Sequence, residues 1–132
     1  MSVRDQLLNQ LESKFQEALN VESKMLPDYA SLSPMSSSQV VYEMNMKELN
    51  RLGNEINNLK ELIMNLPKEN DAIHVDRKNK LTFSLQNEMN FRISIQNNID
   101  QAQSDFQRNV LDNQKVLSNT RIQHLEVLLS LL

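Results

Sequence analysis

The stretch from Leu49 to Pro67 reads LNRLGNEINNLKELIMNLP. Its apolar residues Leu49, Leu52, Ile56, Leu59, Ile63 and Leu66 are spaced 3, 4, 3, 4, 3. That is the a and d spacing of a heptad, which puts all six on one stripe of a helix and makes them the seam of a coiled coil. Gly53 lies inside this helix and costs about 1 kcal/mol relative to alanine, which packing along the seam outweighs. Pro67 closes the helix. Its start is expected in the serine cluster at about residue 37, with Ser36 as cap and Gln39 completing a capping box.

Towards the N-terminus, Leu7, Leu8, Leu11, Phe15, Ala18, Leu19, Met25 and Leu26 follow the same helical period, so a first helix is expected over about residues 3–26. Pro27 ends it, because the residue before a proline is pushed out of the helical region. Residues 27–38, PDYASLSPMSSS, have the composition of a linker and are expected to be mobile.

After Pro67 a short turn over 67–71 is expected, with Asn70 as the next helix cap. From about residue 71 to 132 there is neither proline nor glycine. The simplest reading is one helix of about 60 residues, roughly 90 Å long. Leu81, Leu85, Ile95, Ile99, Ala102 and Phe106 can share a face, interrupted by Arg92, with Asn109 and Asn113 near its continuation. The apolar stripe recovers at Ile122, Leu125, Leu129 and Leu132. Against this, LTFSL (81–85) and FRISI (91–95) alternate as half-buried strands do, and QNEMN between them is long enough for a hairpin loop. That loop lacks the usual glycine, and its flanks are rich in Asn, Gln and Ile at helical spacing, so the helix is the preferred reading.

Pro67 leaves 66 residues before it and 65 after it. The expected fold is therefore all-α, an elongated helical hairpin or coiled coil in which two shorter helices pack on one long helix. A compact three-helix bundle with the third helix projecting is the alternative.

Composition narrows the function. The chain has 132 residues, enough for one domain, with a net charge of −3. No cysteine is present, so there is no disulfide, thiolate ligand or thiol nucleophile, and a single glycine excludes Gly-rich phosphate loops. Aromatic residues are 5% and Asn plus Gln roughly a fifth, a polar load suited to helices with one narrow buried stripe. Mild acidity gives no footprint for nucleic acid, and no apolar run approaches the roughly 20 residues that span a bilayer. No signal peptide is read over Met1–Leu11.

Catalytic chemistry has no constellation here. His74 and His124 are fifty residues apart, and neither has further ligands or a nucleophile at a usable spacing, so His124 is expected on an exposed flank. Glu43, Glu48, Glu55 and Glu61, interleaved with Lys47, Arg51 and Lys60, read as a solvated helix face. Arg77, Lys78 and Lys80 form a small basic cluster with no aromatic platform for bases beside it. No catalytic residue, metal site, cofactor or small-molecule substrate is expected.

Leu62-Ile63-Met64-Asn65-Leu66-Pro67 resembles the LI-x-x-LP helix ending of the small coiled-coil subunit of the Mediator middle module, and Phe15-Gln16-Glu17-Ala18-Leu19 resembles the F-x-x-A-[LI] of that family's first helix. The order of a helix, a proline-containing linker, a helix ending in LP and a long helix is also similar. The family's N-terminal D-R-L-T-Q-L-Q is represented only by Arg4-Asp5-Gln6-Leu7, with its first two residues exchanged. The resemblance spans about a dozen residues, and kinetochore and vesicle-tethering subunits share the same pattern. It implies a subunit of a transcription coactivator, and with it a nuclear rather than cytoplasmic place inside the cell.

The function expected from these readings is that of a non-enzymatic coiled-coil scaffold subunit, joining helical partner chains in a hetero-oligomer in preference to a homo-oligomer. Leu49, Leu52, Ile56, Leu59, Ile63, Leu66, Ile122, Leu125, Leu129 and Leu132 are the expected partner seam. The alternative is a helical-hairpin chaperone or adaptor that binds client proteins with its tips, favoured if a small β-hairpin at 81–95 offers them an open edge.

Overall fold

The computed structural model describes residues 2–26 and 35–132, and the side chains of 35–39 lie outside the description. The fold is all-α. Four helices follow one another as α1 (Val3–Met25), α2 (Met35–Met64), α3 (Ala72–Asp100) and α4 (Asp105–Ser130), with no strand among the described residues. LTFSL and FRISI both lie inside α3, so the hairpin reading of 81–95 does not hold.

Each boundary has a local cause. Ser2 opens α1 with a capping box: its hydroxyl accepts from the Asp5 N–H at 3.1 Å, and its own N–H donates to Asp5 Oδ2 at 3.4 Å. At the other end Leu26 is extended, the conformation that a following proline imposes. Helix α2 begins at Met35, so residues 35–38 of the expected linker are helical. Residues 27–34, and the Ser36–Gln39 side-chain capping box, lie outside the described residues. The cap of α3 is Asp71, not Asn70. Its carboxylate accepts from the His74 N–H at 2.9 Å and brings a negative charge to the positive end of the helix dipole.

The expected 60-residue helix is broken at 101–104 into α3 and α4. The break needs neither proline nor glycine, and no described residue adopts a positive φ. Ser104 makes the new start: its hydroxyl accepts from the Gln107 N–H at 3.1 Å, while Gln107 Oε1 accepts from the Gln103 N–H at 3.2 Å. Asp105 adds a carboxylate to the first turn. The chain reverses here, so the hydrophobic stripe expected along one long helix is instead folded back on itself.

The four helices run alternately up and down. Lys14 reaches Glu55 at 2.9 Å across the antiparallel α1–α2 pair, and Lys14 followed by Arg51 holds the Glu55 carboxyl below its usual range. Both side chains stay about a third exposed, at 29% and 36%, so the bridge fixes register more than it stabilises. The hairpin of α3 and α4 is stitched by Lys115 to Gln96 at 2.7 Å, Arg92 to Asn119 at 3.2 Å and Arg121 to Glu88 at 3.0 Å. Arg92 thus interrupts the apolar stripe in order to span to α4. Thr120 donates to Glu22 at 2.8 Å along antiparallel α1 and α4, and Arg77 reaches across from α3 to Glu12 at 2.8 Å and Asn9 at 2.7 Å.

Backbones pack closely in the order α2, α1, α4, α3. Among the described residues α2 makes no close backbone approach to α3 or α4. The bundle is therefore an open row, closed at one end by a shared apolar core. Leu8, Leu11 and Phe15 of α1, Ile63 of α2, Leu81 of α3, and Leu128 and Leu131 of the last turns meet there.

Candidate partner interface

The closed end is organised around one charge. Arg4 is 3% exposed, and its guanidinium donates from Nη1 to the carbonyls of Ile63 at 2.8 Å and Leu66 at 3.2 Å, and from Nη2 to the carbonyl of Leu131. The last carbonyls of a helix have no partner within it and carry the negative end of its dipole. One planar cation thus bridges the C-terminal ends of two helices whose backbones make no close approach to each other. Ser2 adds a bond from its hydroxyl to Glu69 at 2.9 Å, which ties the start of α1 to the turn after α2. Sequence reasoning gave Arg4 no structural role.

The expected partner seam is used inside the chain. Leu52 and Ile63 are fully buried, and Leu49, Ile56, Leu59 and Leu66 are half-buried in the row that α1 covers. In α4, Ile122 is buried, and Leu125, Leu129 and Leu132 pack at the edge of the common core. The reason is physical: α1 carries its own stripe of Leu8, Leu11, Phe15 and Leu19, and these pack along the seam within the chain. The shared face expected in the third helix survives in part. Leu81 and Ile95 are buried and Leu85 and Ile99 half-buried, while Phe106, on the far side of the break, is 55% exposed.

What remains uncovered lies elsewhere. Lys14 sits opposite Glu55, and α1 ends about eleven residues later, so its end lies abreast of about Met44. The 3, 4 spacing of the seam nevertheless continues backwards from Leu49 to Asn45 and Tyr42. Val40, Val41, Tyr42, Met44 and Met46 stand exposed on this stretch of α2. At the tip of the α3–α4 hairpin, Ala102, Phe106, Val110 and Leu111 line an open concavity of about 450 Å³ edged by Asn98, Gln101 and Gln107.

His124 lies at the joint of three helices and not on an exposed flank. Its ring stacks on Phe15, with centroids 4.2 Å apart and planes 14° apart, in a notch shared with Glu12, Leu81 and Arg121. Burial pushes its pKa below the ordinary 6.5. Between the two pKa values the unfolded chain holds a proton that the folded chain does not. Stability is therefore full above pH 6.5, falls as pH drops through it, and levels off below the folded pKa. The urea midpoint at pH 5.5 is expected below that at pH 7.5, and His124→Gln should remove most of the difference. Equal pH dependence in the variant would place the titration elsewhere.

Among the described residues no group of His, Asp or Glu is disposed to hold a metal ion, and no helix is long and apolar enough to cross a membrane. Compared with family models, with curated proteins and with solved structures, the chain matches none of them.

Proposed function

We propose that this protein is a non-enzymatic scaffold subunit that co-assembles with helical partner chains in a multiprotein complex. The observation that carries this reading is the exposed apolar stretch of α2 beyond the end of α1. Val40, Val41 and Tyr42 are 60%, 53% and 49% exposed there, and Tyr42 stands on the same stripe as Leu52, which is fully dry where α1 covers it. A half-covered heptad stripe is what a helix shared between an intramolecular and an intermolecular partner presents. The resemblance of Phe15–Leu19 and Leu62–Pro67 to the Mediator middle-module subunit supports a transcription coactivator as the complex, and the nucleus as its place. The chaperone or adaptor reading lacks the β-hairpin at 81–95 that would favour it, since that stretch is helix.

The test is recovery of stoichiometric helical partners with the tagged full chain from its native source. Val41→Asp combined with Tyr42→Asp should lower that recovery at least tenfold, because both charges would have to be desolvated in the joint. Asn57→Asp, on the exposed face of α2, should leave it unchanged. A chain that sediments as a monomer in native extract, or equal recovery with both variants, would sink the proposal.

A further inference from the structure

A groove opens between the last turns of α2 and α4, on the side where those two helices do not pack together. Met64 at the end of α2 and Leu66 just beyond it, with Val127 and Leu131 from the end of α4, give it an apolar floor, and Lys60, Lys68, Arg4 and Ser130 complete its lining. Its volume is about 420 Å³, within the range of sites that hold several side chains of a ligand. No carboxylate lines it. Arg4 is occupied by three carbonyls, but among the described residues neither Lys60 nor Lys68 has a carboxylate within 4.0 Å. Elsewhere Lys14 finds Glu55, Arg77 finds Glu12 and Arg121 finds Glu88 across a helix pair, while Lys115 and Arg92 find the amides of Gln96 and Asn119.

From this complementarity we infer that the groove docks an acidic amphipathic helix of a partner protein, with apolar residues on Met64, Leu66 and Val127 and glutamate or aspartate side chains on Lys60 and Lys68. Three features favour a helix over a free anion. The floor is mostly apolar, so an inorganic ion would satisfy the rim and leave the floor wet. Met64 is 68% exposed at the edge, a flexible side chain able to fit around an irregular apolar surface. The two amines come from opposite sides of the α2 terminus, Lys60 within the last turns and Lys68 beyond Pro67, which suits successive acidic positions along a rod. Arg4 makes the site possible, since its charge offsets the two helix C-termini that would otherwise repel a carboxylate.

The inference rests on the scaffold reading, but it concerns a different surface from the overhang of α2 and can fail separately. The probe is a fluorescent two-heptad peptide with leucine at a and d and glutamate at e and g, titrated with the full chain and read by anisotropy. Versions with glutamine or lysine in place of glutamate, and vesicles of phosphatidylcholine and phosphatidylserine in equal parts, complete the set. The acidic peptide should bind about tenfold more tightly than the glutamine version, a difference of about 1.4 kcal/mol, and the lysine version should bind weakest. Lys60→Gln with Lys68→Gln should erase the preference for the acidic peptide and leave the glutamine version unaffected. Lys60→Glu with Lys68→Glu should reverse it in favour of lysine, with helicity checked by circular dichroism. Equal binding of acidic and glutamine peptides, insensitivity to the conservative pair, or binding of the vesicles alone would each overturn the inference. If the lysine variants keep their native partners while the Val41→Asp and Tyr42→Asp chain loses them, the scaffold reading stands and the groove is not its docking site.

Discussion

Replacing Ile63 by aspartate is expected to unfold the chain at 25 °C. Ile63 is fully buried where α1, α2, α3 and the end of α4 meet, so a carboxylate there would be stripped of water, and Arg4 beside it is already engaged by three carbonyls. Ile63→Ala isolates the packing part of that loss and should cost about 3 kcal/mol, a large share of the stability of a domain this size. Asn57→Asp on the exposed face of the same helix should stay within about 0.5 kcal/mol of the parent. Urea unfolding followed by circular dichroism separates the three. Similar midpoints for Ile63→Ala and Asn57→Asp would mean that the seam does not pack as described.

The second large effect is expected at Arg4. Arg4→Met keeps much of the aliphatic bulk and removes the donors to Ile63, Leu66 and Leu131, which strips the Leu66 and Leu131 carbonyls of this partner and leaves the Ile63 carbonyl with the Leu66 N–H alone. A loss of about 3 kcal/mol follows from the usual worth of hydrogen bonds to a charged group. Arg4→Lys should recover less than half of it, because one ammonium lacks the planar fork that reaches carbonyls of two different helices. Thermal denaturation of the three proteins at one concentration checks the order. A lysine variant as stable as the parent would show that charge alone, not the fork, holds the end of the bundle.

The residues that signalled helix in the sequence did so through period and punctuation, and both were local. The stripe from Leu49 to Leu66 is buried or half-buried as its spacing requires, and Pro27 bounds α1 within a residue of expectation. The reversal at 101–104 escaped because it has no glycine or proline. Its signal was Ser104 three residues before Gln107, the same pattern that marked Ser36 and Gln39. There a proline and a run of serines framed it, whereas at 104 it sits in an unbroken polar sequence. The occupant of the seam was illegible for a different reason: a heptad stripe specifies that a helix covers it, not whether that helix belongs to the same chain. Arg4 could not be placed because its acceptors lie 59, 62 and 127 residues away. Next to Ser2 and Asp5 it reads as one more solvated charge at the start of a helix.

The bond from Arg4 to Leu131 has a kinetic meaning as well as a static one. The α3–α4 hairpin is made of contacts between residues close in sequence and can form by itself early, since short loops close at little entropic expense. The apolar core at the closed end needs Leu8 and Leu11 from the start of the chain and Leu128 and Leu131 from its end. During synthesis α1 can pair with α2 as soon as α2 emerges, but the part of its stripe that the last turns of α4 cover stays open until they follow. That interval is when the chain is most open to capture by another helix.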